Sequence, residues 1–298
     1  MEAVFHSSQR MAAKTAGRAT MRRGLPLLFL VAGAMASAGQ QAPLTPAQAQ
    51  ALVDCALKNE LRAAEDTGHP MRYVLRKSSP RVTSTKQIYE TREGEVARLI
   101  AIDDQPLSAA DEAREQARLN ALESDPGLQR HRRQGEDADA ARALKVLRAL
   151  PSAFFYQYAG PLATPAGVVE RFTFNPNPAF APPDLETAVM TAMSGELSID
   201  PGSERVTRLE AHLDRDVDFG WGLLGRLNKG GWIAIEQADV GGGAWRMVRL
   251  ELKMSGRVFF RTRVFDTTEE ESQYAPLPVG MPYAQAIESM RQVSSSAR

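Results

Sequence analysis

Asp214, Asp216 and Asp218 alternate along the chain and form its densest set of potential metal ligands. A calcium loop opening at Asp214 would need glycine at its sixth position and a bidentate glutamate at its twelfth, where this chain has Phe219 and Gly225. The three aspartates instead share the polar parity of a strand, where carboxylates align without converging. His69, His131 and His212 stand far from one another, and none belongs to an H-x-H or H-E-x-x-H pattern. Ser194 is not the nucleophile of a G-x-S-x-G elbow, because Ala192 stands where the first glycine is needed. Gly225-Arg226-Leu227-Asn228-Lys229-Gly230-Gly231 lacks the Gly-Lys-Ser/Thr order that cradles phosphate, and reads as a hairpin connection. Acidic residues are plentiful, but no pair stands out as the acid and base of a glycosidase. These patterns point to no catalytic residue, no metal and no cofactor.

The aromatic residues form a more distinctive set. Phe154, Phe155, Tyr156, Phe172, Phe174, Trp221, Trp232, Trp245, Phe259 and Phe260 all follow residue 150. Such a set packs a core or lines an apolar cavity, and its chemistry is recognition rather than reaction.

The start of the chain sets the compartment. Met21-Arg22-Arg23, the apolar run Leu25 to Ala36 and the small-residue pattern Ala36-Ser37-Ala38 together read as a secretory signal cut before Gly39. Met21 is then the expected translation start. The run of 12 residues is short of the roughly 20 that span a bilayer as a helix, so an integral membrane protein is not expected. The whole chain has 36 basic and 36 acidic residues; 1–38 holds five of the former and one of the latter, leaving 31 against 35, net charge −4. That balance argues against nucleic acid and against a strongly anionic membrane as the main partner. A single cysteine, Cys55, excludes an intrachain disulfide, and with Asp54 before it Cys55 does not read as a lipidation site.

The elements follow from periodicity. Thr45-Pro46 caps a helix whose Ala49, Leu52, Val53, Ala56, Leu57 and Leu61 share one face, lasting until Gly68. Strands are expected at 72–77, 83–91 and 95–102. Ser108 then caps a charged helical insert running to Leu150, broken at Asp125-Pro126-Gly127 and stopped by Pro151, with its second helix at about 137–149. The insert reads as a solvated excursion. A strand is expected around 168–174 and a short helix capped by Asp184. Leu209, Ala211, Leu213, Val217 and Phe219 alternate with polar residues as one long strand. A meander follows: 232–240, a triple-glycine turn, 245–252, a turn at Ser255-Gly256, then 258–265. Residues 269–298 read as a polar, partly mobile tail with a last helical turn near Tyr283 to Met290.

Gly195-Glu196-Leu197-Ser198-Ile199-Asp200, a turn, then Val206 and Leu209 resemble the Gly-x-Leu-x-Ile-Asp turn and strand pair of the lipoprotein-localisation fold. That superfamily includes the periplasmic lipoprotein carrier LolA, its receptor LolB and the stress regulator RseB. The resemblance covers most of 39–268 and implies an α+β fold: a strongly curved antiparallel sheet, an incomplete barrel, with helices covering its open side. It also implies a non-enzymatic exported protein, periplasmic or secreted, with an apolar cavity for a lipid, a lipoprotein acyl chain or a hydrophobic peptide. Phe172, Phe174, Leu209, Leu213, Phe219, Trp232, Trp245 and Phe260 are the side chains expected to line it. The essential cavity arginine of the carrier has three positional counterparts, Arg171, Arg215 and Arg249. Two other readings stay open, a protein–protein module of envelope assembly or stress sensing and a hydrolase with an acidic site.

Overall fold

The computed structural model describes residues 43–219, 225–258 and 261–296. The expected signal and its cleavage point lie outside the described residues. The first helix, α1 (Pro46–Glu65), begins where the sequence puts it. The Thr45 hydroxyl accepts from the Gln48 N–H, and the Gln48 carboxamide accepts from the Thr45 N–H, while Pro46 fills the first helical position. Ala49, Val53, Ala56 and Leu57 form its buried stripe.

Strands β1 (Met71–Ser78), β2 (Thr83–Thr91), β3 (Gly94–Ile102) and β4 (Gln105–Pro106) lead to two helices, α2 (Ala109–Ser124) and α3 (Pro126–Ala153). α3 starts earlier than expected. Asp125 caps it by accepting from the Gly127 and Leu128 N–H groups, and Arg132–Glu136 and Arg133–Asp137 pairs one turn apart support its polar first half. Pro151 does not stop the helix but lies within it, two residues before its last residue, Ala153. The aromatic run that follows is β5 (Phe154–Thr164), and β6 is Gly167–Pro176. A short helix, α4 (Leu185–Ala188), capped by Asp184, continues as a 3-10 turn, Val189–Ala192.

Then come β7 (Met193–Asp200), β8 (Arg205–Leu213), β9 (Val217–Phe219), β10 (Gly225–Leu227), β11 (Trp232–Asp239), β12 (Trp245–Val258), β13 (Arg261–Pro276) and α5 (Tyr283–Ser296). The single strand expected over 209–219 is two. The Asp214 N–H bonds the Ala192 carbonyl and the Arg215 guanidinium the Thr191 carbonyl, drawing 214–216 out of the sheet. Nor does Ser255-Gly256 turn the chain, since both belong to β12. A Cβ at Gly256 would lie 2.5 Å from the Arg226 carbonyl oxygen, so glycine there permits the approach of β10 rather than a reversal.

All pairings are antiparallel, in the order β4-β3-β2-β1-β13-β12-β11-β8-β7-β6-β5, with β10 on the free part of β12 and β9 on β10. The result is a curved 13-stranded sheet that does not close into a barrel. Register carries one face across six strands without a break: Phe172, Leu197, Leu209, Ile235, Leu250 and Glu269 are successive cross-strand partners. α1 packs on the β5–β8 end of this face, forming a core with Phe154, Phe172, Phe174, Leu197 and Ile199. A second core lies at the other end and on the other face. There Tyr89 and Val96 pair across β2–β3 and pack against Leu119 and Leu122 of α2 and against Ala286, Ile287 and Met290 of α5.

The second core changes two expectations. The insert is not all solvated excursion, because Leu119 and Leu122 of α2 are fully buried. The C-terminal residues are docked: 269–276 complete β13 beside β1, and α5 buries Ala286, Ile287 and Met290. Arg98 of β3 binds both helices, donating to the Met290 carbonyl and to the Glu112 carboxylate, each at 2.7 Å. The short apolar spacing in α5 is matched to a partner helix far away in the chain, α2, which local periodicity does not reveal.

Gly195 shows why the motif begins with glycine. A Cβ there would fall 1.9 Å from the Glu210 carbonyl oxygen and 2.8 Å from the Phe174 ring. Gly195→Ala is expected to destabilise by at least the ~1–3 kcal/mol typical of overpacking, since a strand backbone cannot retreat as a side chain can. Urea denaturation checks this, and an unchanged midpoint would show that the approach is loose.

Candidate functional site

Beside the first two turns of α1, the core leaves a cleft of about 410 Å³. Leu44, Ala49 and Val53 form one wall, Tyr156 and Tyr158 of β5 and Phe172 of β6 the other, with Gln50 and Gln157 at the polar margin. The wall residues follow directly from local structure. Ala49 and Val53 are one helical turn apart on the buried stripe, while Tyr156 and Tyr158 alternate with outward Phe155 and Gln157. Tyr158 faces Phe172 across the β5–β6 ladder, with ring centroids 5.5 Å apart.

The phenol hydroxyls are turned to protein partners. Tyr156 donates to the Leu150 carbonyl at 3.1 Å, and Tyr158 to the buried Glu170 carboxylate at 2.6 Å. Burial pushes the Tyr156 hydroxyl above its usual range; burial and the Glu170 bond do the same for Tyr158. Both phenols stay neutral and present rings to the cleft. A volume of 410 Å³ lies within the range of small-molecule sites.

The eight side chains expected to line a cavity separate into groups. Phe172 lines the cleft, Phe174 lies deep in the same core, and Leu209 packs partly buried against it. Leu213 belongs to a small cluster with Ala192 and Val217 beneath the 3-10 turn. Trp245 lies under the Arg205 guanidinium, 5.7 Å from its ring centroid, beside the second half of α1. Trp232 pairs with His212, on the face opposite Ala211 and Ile233, so its ring points away from α1. Phe260 lies outside the described residues, as does the Phe219 side chain.

Residues missed by the sequence reading complete the apolar face. Ile233 packs against the α1 core, and Ile235, Leu250 and Leu252 continue the face beside it; all four are half-buried. Their alternation was legible; that their row meets Phe172 and Leu197 is a matter of register. In sequence Tyr156 and Tyr158 stand out only as members of the dense aromatic run from Phe154 to Tyr158.

None of the three arginines matched by position faces the cleft. Arg171 and Arg249 lie on the opposite face by register, Arg249 held by Glu251 and Glu270, and Arg215 bonds the Thr191 carbonyl. Asp218 grips Arg226 through two hydrogen bonds, and Asp216 receives Arg226 and the Lys229 N–H. Among the described residues no group of three or more His, Cys, Asp or Glu side chains can hold a metal ion. Among them, too, no helix is long and apolar enough to cross a membrane.

Three partly buried carboxylates gather elsewhere on the α1 face, around the stacked rings of Tyr73 and Tyr274, 5.1 Å apart. Glu95 accepts from Tyr73, Glu271 from Tyr274, and Glu90 from the Met71 N–H. Burial raises all three, Glu271 to about 7. Each is occupied by a protein donor.

No family model matches the chain, and no curated protein matches it. Solved structures similar to it include a LolA superfamily protein from Nitrosomonas europaea, at 10% identity and a TM-score of 0.28, covering 77% of this chain and 94% of that one. An outer membrane lipoprotein-sorting protein domain from Vibrio parahaemolyticus, described as putative in its own name, is similar at 10% identity and a TM-score of 0.28, covering 79% and 97%. MucB, solved in complex with MucA(peri), is similar at 9% identity and a TM-score of 0.22, covering 75% and 98%. The first of these carries in its name the superfamily that the Gly195–Asp200 resemblance named. At such TM-scores the likeness says nothing of this chain's cleft.

Proposed function

We propose that the protein is an exported, non-enzymatic binding protein of the bacterial periplasm that takes an acyl chain, from a lipid or a lipoprotein, into the cleft beside α1. The 410 Å³ cleft is the observation that supports this reading: two helical turns and two strands meet there without filling the space. Its walls are aliphatic and aromatic, its hydroxyls are engaged behind the rings, and its margin is uncharged. The export half of the reading rests on the sequence of residues 21–38.

An apolar cleft makes a graded response to chain length. Each methylene removed from water contributes up to about 0.8 kcal/mol, less if the empty cleft is already partly dry. Saturated fatty acids of eight to fourteen carbons should therefore bind with rising affinity in calorimetric titration, with little dependence on salt. Ala49→Phe or Val53→Phe would fill the cleft from the helix side and is expected to weaken binding by roughly tenfold or more. A flat series, or filled variants that bind as well as the parent, would turn the reading to a sealed protein–protein module.

A further inference from the structure

The far ends of β12 and β13 extend beyond the rest of the sheet. β13 meets β1 only from Thr268 onward, so residues 261–267 have β12 on one side and no described strand on the other. Across the hairpin, residues 256–258 of β12 pair with β10, which pairs with β9. The sheet therefore ends in an arm of four strands, and Arg261 to Phe265 along its edge are all exposed, Val264 by 71% and Phe265 by 48%.

The chemistry of this arm is unlike the rest of the surface. Within 257–265 its described exposed residues, Arg257 and Arg261 to Phe265, comprise three arginines, a threonine, a valine and a phenylalanine, with no acid. Other arginines of the sheet have acid partners, Arg76 in Asp104 and Glu270 and Arg249 in Glu251 and Glu270, while Arg246 donates to the Trp245 and His69 carbonyls. Arg226 belongs to the same arm and opposes Arg257 in register, but Asp216 and Asp218 neutralise it. Among the described residues no acid pairs with Arg257, Arg261 or Arg263.

These side chains are spread over both faces. Register places Arg261, Arg263 and Phe265 with Met254 on one side, and Arg257 and Val264 with Ser255 on the other. A docking surface for a folded partner concentrates its apolar residues on one side. An edge that is apolar and cationic on both sides fits a medium that surrounds it, with apolar depth below and phosphates at the level of the arginines. We infer that the end of this arm is a peripheral docking element for an anionic lipid bilayer: Val264 and Phe265 enter the acyl boundary, and Arg257, Arg261 and Arg263 bind lipid phosphates. The overall charge is close to balanced, so the attraction is local to the arm. It does not depend on the cleft being occupied.

Vesicle flotation tests this with the whole exported chain. Vesicles of phosphatidylcholine alone are compared with vesicles of equal parts phosphatidylcholine and phosphatidylglycerol. The parent should float with the anionic vesicles and lose at least roughly tenfold in partitioning at high salt. A triple Arg257→Glu, Arg261→Glu, Arg263→Glu variant and a Val264→Ser, Phe265→Ser variant should each lose about as much, with melting temperature and fatty-acid affinity in solution unchanged. Substitutions at exposed positions leave the fold intact, which the melts verify. A parent that does not float, or variants that float equally well, would overturn the inference. A parent that forms a dimer undone by Val264→Ser, Phe265→Ser without binding vesicles would also overturn it and assign the arm to a second copy of the chain.

Discussion

Glu60→Ala should cost about 3–5 kcal/mol in urea denaturation, the largest loss expected from any single side chain outside the apolar core. Glu60 lies in α1, a residue of the buried side facing β8, and its carboxylate accepts four hydrogen bonds. Arg205 supplies two, from Nε at 2.8 Å and Nη2 at 3.0 Å; the Val206 N–H gives a third at 3.0 Å and the Gln237 carboxamide a fourth at 2.9 Å. The helix is thereby tied to β8 and β11 at one point. Removing the carboxylate leaves a largely buried guanidinium and a buried N–H without their acceptor, and those losses exceed the value of the pair itself. Glu60→Gln should cost less, because an amide oxygen still accepts from Val206. Arg205 also covers Trp245, so its release should appear as a change in tryptophan fluorescence before unfolding. A loss below about 1 kcal/mol with unaltered fluorescence would mean that α1 is held by its apolar stripe alone.

Stability should fall as pH rises from about 4.5 to 7, and Glu271 is the main reason. Burial is the first cause of its raised pKa, about 7, with repulsion from Glu269, Glu95 and Glu90 adding to it and the Tyr274 hydrogen bond opposing it. The folded state holds the proton more tightly than the unfolded chain does. The neutral form is therefore stabilising below the unfolded value, and that contribution is lost as pH rises through the folded one. A raised carboxyl of this size amounts to about 3 kcal/mol between pH 4 and 8. Glu90 and Glu95 are displaced in the same direction and extend the trend. Well below pH 4.5 the sign reverses, since Asp111, held by Ser108 and Arg114, and Asp184, held by Thr187 and Lys145, have lowered pKa values and lose their bonds on protonation. Maximum stability is thus expected in mildly acidic solution. Glu271→Gln should raise stability at pH 8 and flatten the slope between pH 5 and 8; an unchanged slope would place the titration elsewhere.

Both results concern polar groups that no local pattern marks. Glu60 reads in sequence as one more charge on an amphipathic helix, and Glu271 as one of three consecutive glutamates, Glu269 to Glu271. Their partners lie 145 and more residues away for Glu60, and on β2 and β3 for Glu271.

The elements of the fold were written in short stretches of chain. The Thr45-Pro46 cap, the Ser108 cap, the Asp125 break and the triple-glycine turn each act within four residues, where hydrogen bonds and steric limits are decided by immediate neighbours. Alternation along 209–213 and 232–239 fixed which side chains share a face. The Gly195–Asp200 motif pointed to the curved open sheet, and the close approach of Glu210 and Phe174 to Gly195 gives that motif a steric basis. What sequence could not decide was which surfaces meet. Strand order and register carry Phe172, Leu197, Leu209, Ile235 and Leu250 into one row, send Trp232 to the other face, and bring α5 to α2. A register change of one residue would reverse each of those placements, and register is set by the sum of long-range packing, which no local window contains.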